Sequence, residues 1–457
     1  MQDDLQARIE AVVPATTITA AADVPPSPWD TGQPFRGRFV VSPESTAQLA
    51  DVLRICHELD QSVVPLGGVT GLVQGCATES GDIGLSLSAM NRIEEIDPVA
   101  CTLVAQAGVT MRSAQEAAAE AGLFFPVDIG ARDNCTLGGN VATNAGGTKV
   151  IRYGMMRDSV LGLEAVLADG TILSSMNRYL KNNSGFDLKH LFIGTEGTLG
   201  IVSRVVVRLT PEPRSHNVAL LAAQDYDAVV DLLSRARGLL GASLCGFEVM
   251  WQSFYAKAVQ PDGPQASPIE SGYPFYIVVE AMGNEPAADS DAFEAAMVQL
   301  IDAGLAVDGV IAKSDREREG IWAIRHEVEW LVRNAFNFDV SLRIADAGAY
   351  IELLEARVAA EFPDAYVAAF GHLGDNNVHI SILGDDEERI QQHVYEALRP
   401  FDGAISAEHG IGLEKRQWLP ISRSSDEIAM MATLKRTLDP RGILNPGKVI
   451  DVNGVNS

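Results

Sequence analysis

His372 and His379 stand at the two ends of Gly371-His372-Leu373-Gly374-Asp375-Asn376-Asn377-Val378-His379, and Glu408-His409-Gly410 follows further along the chain. Apolar residues lead in from Tyr366 to Phe370 and continue from Val378 to Leu383, while the Gly-Asp-Asn-Asn between them is turn chemistry. The stretch predicts a β-hairpin with a histidine on each side of its bend. Side chains facing each other across such a pair have Cβ atoms roughly 5 Å apart, close enough for two imidazoles to share one ion. Glu408, behind a short apolar run ending at Ile405, is the best candidate for a third ligand. Two histidines, one carboxylate and an open position are the donor set of a catalytic metal centre. His409, beside that carboxylate, would be free to act as a base. Taken alone, the pair reads equally well as two solvated turn histidines.

Composition limits what such a centre could serve. With 457 residues the chain is long for one domain, and two or three are expected. A hydrophobic fraction of 47% allows large cores. The formal net charge of −26 argues against nucleic acid and anionic membrane surfaces, whose own charge would repel it. An anionic substrate would then need a local cationic site, an arginine or a metal ion. The start, Met1-Gln2-Asp3-Asp4, is acidic and leads into Leu5–Val13 at helical spacing, unlike a signal or transit peptide. No run approaches the length of a transmembrane helix, so no membrane insertion is expected. Cys56, Cys76, Cys101, Cys135 and Cys245 are scattered, with no CxxC, which points to a reducing cytoplasm.

The elements around the histidines follow from local pattern. Residues 25–39 are rich in proline and glycine and read as an irregular arm. Ser42-Pro43-Glu44 has the residue types of a helix start, and Leu49, Val52, Leu53, Cys56 and Leu59 recur at helical spacing after it. A short strand then runs into Pro65-Leu66-Gly67-Gly68-Val69-Thr70-Gly71. Successive N–H groups in such a loop form an anion-binding nest, and glycine lets the backbone approach a phosphate closely. The loop is neither a Walker A motif nor a GxGxxG fingerprint, and alone it reads at least as well as an ordinary glycine-rich connection. A second cluster shifts that balance: Asp128-Ile129-Gly130-Ala131-Arg132-Asp133-Asn134-Cys135-Thr136-Leu137-Gly138-Gly139-Asn140, continuing to Ala145-Gly146-Gly147. So many small residues suit backbone wrapped around a large flat ligand.

Leu161–Leu167, a tight turn and a second strand follow, and Gly194-Thr195-Glu196-Gly197-Thr198-Leu199-Gly200-Ile201 enters another strand. Pro211-Glu212-Pro213 marks a boundary. Beyond it, strand-like runs at Val218–Leu221, Phe247–Met250, Phe275–Val279, Val307–Ile311, Phe338–Leu342, Tyr366–Phe370 and Val378–Leu383 alternate with helical segments. That alternation suits an antiparallel sheet with helices over one face. Asp426–Leu438 reads as a helix, and a turn-rich coda closes the chain.

In this order, the segments Pro65–Gly71, Cys135–Asn140, Thr143–Gly147, Arg152–Gly154, Gly194–Gly200, Gly371–Asp375, Glu408–Gly412 and Asn445–Lys448 resemble the FAD-linked oxidases of the vanillyl-alcohol oxidase superfamily. Within it, the nearest likeness is to the D-2-hydroxyglutarate and D-lactate dehydrogenases, from about residue 35 to 450. The resemblance implies an α+β fold in four parts. These are an N-terminal helix and arm (1–34), an FAD-binding domain of two α+β subdomains (35–212), a substrate domain carrying the metal, its antiparallel sheet covered by helices (213–420), and a C-terminal helical segment returning to the FAD domain (421–457).

It also implies FAD ligands at Pro65, Gly67, Gly68, Val69, Thr70, Gly71, Asp128, Gly138, Gly139, Asn140, Thr143, Asn144, Gly146 and Gly147, with Glu196, Gly200, Ile201 and Asn445 near the flavin end. Relatives that bond FAD covalently carry a histidine in the first glycine loop; none stands here, so non-covalent FAD is expected and Cys135 reads as a packed thiol. His372, His379 and Glu408 match the family's metal ligands, usually for zinc, and His409 its catalytic base. Arg325, in Trp322-Ala323-Ile324-Arg325, matches an arginine that grips the substrate carboxylate. The implied reaction is oxidation of a D-2-hydroxy acid to the 2-oxo acid, with hydride transfer to flavin N5. Electrons would leave to an electron-transfer flavoprotein, a quinone or a cytochrome, and a homodimer is one assembly to expect.

Some positions depart from the resembled hydroxyglutarate enzymes. Asn337 stands where they carry a lysine, Glu329 where they carry a threonine and Ser381 where they carry an asparagine. The loop reads Asp375-Asn376-Asn377 in place of Asp-Gly-Asn. Losing a cation and gaining an acid disfavours a second substrate carboxylate, so Asn337 and Ser381 are expected beside a small or apolar side chain. Two other readings stay open: a non-redox transferase of the same superfamily, which lacks the paired histidines, and a non-catalytic flavin-binding subunit of a glycolate-oxidase-like complex.

Overall fold

The computed structural model describes residues 2–27, 34–259, 266–332 and 334–452. Part of the expected proline-rich arm, residues 28–33, lies outside the described residues. The chain divides into two units: Met1–Gly146, Gly154–Glu212 and Glu408–Ser457 form the first, Gly147–Tyr153 and Pro213–Ala407 the second.

The first unit holds two layers of α+β structure. One is a four-stranded sheet in the order Ile18–Ala20, Phe39–Val41, Ile83–Ser86, Val63–Leu66, its last three strands parallel. The helix Thr46–Glu58 lays Leu49, Val52, Leu53 and Cys56 into the same core as Val41, Val63 and Leu85. This helix starts later than Ser42-Pro43-Glu44 suggests. Ser42 donates its N–H to the Thr17 carbonyl beside the edge-strand pair, and Ser45 is the N-cap, accepting from the Gln48 N–H at 3.3 Å. The other layer is a five-stranded antiparallel sheet in the order Ile93–Asp97, Thr102–Gln106, Ile201–Arg208, Val160–Val166, Ile172–Ser175.

Residues 408–420 were expected at the end of the substrate domain, yet they belong to the first unit. Backbone hydrogen bonds explain the difference: Leu413 donates to the Val73 carbonyl, and Val449 donates to the Gly412 carbonyl. The last helix, Ser425–Leu438, is capped by a Ser424–Glu427 capping box. Its buried Lys435 bonds Asp439 and the carbonyls of Thr198 and Leu444, and Asn445 then donates its N–H to Val63.

The second unit is a seven-stranded antiparallel sheet in the order Asp308–Ile311, Ser215–Ala223, Phe275–Gly283, Leu244–Trp251, Tyr366–Gly371, Asn377–Leu383, Phe336–Ser341. Each strand matches one of the seven apolar runs, with Val307 and Leu342 falling just outside their strands. Helices cover both faces, not one. Val218, Leu220 and Ala222 pack with Phe254, Ile321 and Ile324, while the alternate residues Ala219, Leu221 and Ala223 are also fully buried. A strand buried on both sides reads as a continuous apolar run, which is how Leu244–Trp251 and Phe275–Gly283 appear. Residues 147–153, expected in the FAD domain, join this unit because Lys149 pairs with buried Glu280 and Arg152 bonds the Met282 carbonyl at 2.7 Å. Among the described residues, no helix is long and apolar enough to cross a membrane.

Candidate active site

Within the first unit the two glycine-rich stretches close around a single cavity. Its wall includes Pro65, Gly67, Gly68, Val69, Thr70 and Gly71 from the first loop, and Gly138, Gly139, Asn140, Thr143 and Gly146 from the second. Glu196, Gly200, Ile201, Asn445, Glu408 and His409 complete it. At two of the wall's glycines a side chain would not fit. A Cβ on Gly68 would stand 2.0 Å from the Asn134 carbonyl oxygen, and one on Gly138 would stand 2.6 Å from the Ala107 Cβ. Several non-glycine wall residues adopt positive φ: Val69 at 50°, Glu196 at 52° and Asn445 at 41°. For a β-branched valine this is an outlier, and such strain gathers at ligand clamps. Asn445 donates through Nδ2 to the carbonyls of Gly75 and Glu196, while its Oδ1 is buried without a hydrogen-bond partner among the described residues. No donor among the described residues meets that acceptor, so the cradle fits a ligand that brings N–H or O–H groups.

Three expected FAD residues are not in the wall. Asp128 is ion-paired with Arg132 at 3.2 Å. Asn144 caps the helix Leu137–Thr143 in a left-handed conformation, its Oδ1 accepting from the Arg157 N–H at 2.9 Å. Gly147 is in the second unit. Conversely, the wall contains Ile129, Gly130, Ala131 and Gly197, which lie inside the named motifs but not in the expected ligand set, and Gly75 and Cys76, which follow the first loop. Burial pushes the Cys76 thiol up to about 11 and raises the Cys135 thiol, so neither is a ready nucleophile. Gly68→Ala is expected to weaken flavin binding about 100-fold, because a wall displaced by an ångström loses its hydrogen bonds. Visible flavin absorbance per protein, with an unfolding curve as control, checks this.

Glu196 sets the loop that follows His409. Its carboxylate accepts from the Ile411 N–H at 2.7 Å and the Gly412 N–H at 3.0 Å. Burial raises the carboxyl above its ordinary value, more than these bonds and the Lys415 charge lower it. His409 Nε2 is 3.9 Å from Glu408 Oε1, longer than a hydrogen bond.

In the second unit the expected hairpin forms from Tyr366–Gly371 and Asn377–Leu383, with a 3-10 turn at Leu373–Asp375 and Asn376 left-handed at φ 76°. The histidines are not directly opposed, since His379 faces Phe370 on one side and Asp339 on the other. His372 stands at the mouth of the turn, and the two rings still meet edge to face with centroids 5.1 Å apart. His372 Nδ1 lies 2.8 Å from Glu248 Oε1, and Glu248 Oε2 accepts from Arg325 Nε at 2.9 Å. Burial pushes the Glu248 carboxyl up, but the charges of His372 and Arg325 and the bond from His372 outweigh it and leave the group below its ordinary value. Arg325 is buried, its guanidinium 4.7 Å above the Phe370 ring, and its Nη2 has no hydrogen-bond partner among the described residues. Glu248 was not singled out from the sequence, though one acid in the apolar run Phe247-Glu248-Val249-Met250 was a usable signal.

Asn337 and Ser381 are cross-strand partners and bond each other, Ser381 Oγ donating to Asn337 Oδ1 at 2.6 Å. Asn337 Nδ2 is spent on the Ala335 carbonyl at 2.9 Å. The pair is satisfied by these bonds and presents no cation. Glu329 is exposed. At the far end of the unit, the Ala407 N–H donates to Asp339 Oδ2 at 2.8 Å, so the chain is pinned beside the strand partner of His379 one residue before Glu408.

Comparison with known proteins gives a consistent result. The model for the FAD linked oxidases C-terminal domain matches residues 212–449, and that for an FAD binding domain matches residues 38–175. A Bos taurus protein named D-2-hydroxyglutarate dehydrogenase, mitochondrial, is 37% identical over 460 residues, spanning 98% of this chain and 84% of the relative. A Xanthomonas citri pv. viticola protein named D-2-hydroxyglutarate dehydrogenase is 40% identical over 429 residues, spanning 91% of this chain and 89% of the relative. The solved structure of p-cresol methylhydroxylase with substrate bound matches with a TM-score of 0.77 at 16% identity, over 99% of this chain and 97% of that one. At that identity the likeness concerns the fold alone.

Proposed function

The chain belongs to the FAD linked oxidase family, and on that premise we propose that it oxidises a D-2-hydroxy acid to the 2-oxo acid with help from a divalent cation, zinc. The observation that carries this reading is the imidazole pair backed by a carboxylate. A buried histidine whose Nδ1 is committed to Glu248 offers Nε2 as a lone-pair donor, 5.1 Å ring to ring from a second imidazole. Glu408 completes the ligand set. Its support is covalent, because the peptide step of about 3.8 Å from Ala407 starts beside the strand partner of His379.

The cation would supply charge that acidifies the substrate hydroxyl. Bound FAD would supply a two-electron acceptor at N5 for the C2 hydride, and a carrier then removes the electrons. The protein does the rest. Arg325 meets the substrate carboxylate through Nη2, the guanidinium nitrogen left unpaired by its bond to Glu248. His409 takes the hydroxyl proton as the C2–H bond breaks and the carbonyl forms. This redox reading is preferred to non-redox transfer because the paired imidazoles have no role in the latter.

The relatives' names point to D-2-hydroxyglutarate, but the Asn337–Ser381 pair offers nothing to a second carboxylate. We therefore expect small or apolar D-2-hydroxy acids to reduce the flavin faster than the diacid in an anaerobic screen. Asn337→Lys should raise kcat/KM for D-2-hydroxyglutarate relative to D-lactate roughly tenfold, the worth of one charge-assisted hydrogen bond. A diacid that is already the fastest substrate of the unaltered protein would refute the altered pocket. L-2-hydroxy acids alone reducing the flavin would refute the stereochemistry.

A further inference from the structure

The strand Leu244–Trp251 is buried along its whole length, yet Glu248 in its middle is an acid with 1% exposure. A carboxylate removed from water is costly unless its lone pairs are met, and an apolar residue would hold the core as well without that cost. Both oxygens here are met by side chains with a proposed role at the substrate. Oε1 faces His372 Nδ1 and Oε2 accepts from Arg325 Nε.

We propose that Glu248 is a positioning residue that ties the cation ligand His372 to the carboxylate-binding Arg325, so that one rigid planar group sets the geometry of both. This rests on the ligand set and arginine role proposed above. On one side, a carboxylate facing Nδ1 fixes the tautomer that keeps the proton on Nδ1 and leaves Nε2 as the donor. On the other, the bond to Nε fixes the plane of the guanidinium. Phe370 lies beneath that plane at 4.7 Å, and Nη2 is left as the edge for a substrate oxygen. Phe370 also faces His379 across the hairpin, with ring centroids 5.1 Å apart, so the arginine rests on the ring that flanks the second imidazole. Cation, carboxylate and hydroxyl must be held at fixed separations for the C2–H bond to be aimed. A single acid bonded to both anchors is a direct way to fix them.

The test measures zinc affinity, by competition with a chromophoric chelator, together with KM and kcat for the fastest acid of the screen. The proteins are the unaltered holoenzyme, Glu248→Gln, Arg325→Met and the double variant. Glutamine keeps the size but has one acceptor oxygen for two donors. Glu248→Gln should weaken zinc about 10–100-fold and, at saturating zinc, raise KM more than it lowers kcat, with flavin content unchanged. In the Arg325→Met background it should still weaken zinc but leave KM where Arg325→Met alone put it, since its effect on KM runs through that arginine. A purely structural role would raise KM further in both backgrounds. If the glutamine variant fails to fold, Glu248→Asp, which keeps the charge but reaches one partner at a time, is read by the same criteria. Glu248→Gln with unaltered zinc affinity and KM overturns the inference while the ligand set stands. Unaltered protein that binds no zinc overturns the ligand set and this inference with it.

Discussion

Protein stripped of its cation by a strong chelator is expected to reduce its flavin with a D-2-hydroxy acid about a thousandfold more slowly, while keeping its flavin. The reason is the pKa of the alcohol. A free hydroxyl is far too weak an acid to release its proton near neutral pH, and a bound cation contributes several kcal/mol toward the alkoxide-like charge. His372, His379 and Glu408 are the proposed ligands, so adding zinc should restore the stripped protein but not His379→Ala. Stopped-flow flavin bleaching under anaerobic conditions reads both, and full-rate bleaching by metal-free protein would remove the ion from the chemistry.

His409→Gln is expected to lower the same rate about 10²–10⁴-fold, the range for loss of a positioned general base. Zinc and flavin content should stay at their original levels, because the residue is proposed to ligate neither. The pH profile carries the sharper signature. A histidine base must be neutral to accept a proton, so the unaltered protein should lose kcat/KM as pH falls through the imidazole pKa, and the variant should lose that limb. A variant retaining both rate and acid limb would assign the base elsewhere.

What the sequence discloses of this molecule depends on how local each cause is. The seven strands of the second unit were legible because each is an apolar run bounded by turn residues, and the hairpin at 366–383 because its bend is Gly-Asp-Asn-Asn. The glycine loops were legible as a cradle because the absence of side chains is visible directly. Their edges were not. Asp128 and Asn144 look the same as their neighbours, and only the folded chain spends one on Arg132 and the other on a helix cap. The start of the helix at Thr46 was misplaced because Ser42 and Ser45 are both competent caps, and a strand contact of Ser42 decided between them. Arg325 was named through family likeness, whereas the role of Glu248 needs pairings between residues far apart in sequence, of which the lone acid in its apolar run gives only a hint.

The seven residues 147–153 bear on how the protein can be taken apart. Pro211-Glu212-Pro213 looks like a natural place to cut, yet a fragment beginning there would leave Lys149 behind and keep Glu280, 4% exposed and without that counter-charge. Truncating one partner of a buried pair typically costs about 3–5 kcal/mol. A soluble second half therefore calls for grafting the Lys149 segment onto it, or for neutralising Glu280, before any attempt to express it alone.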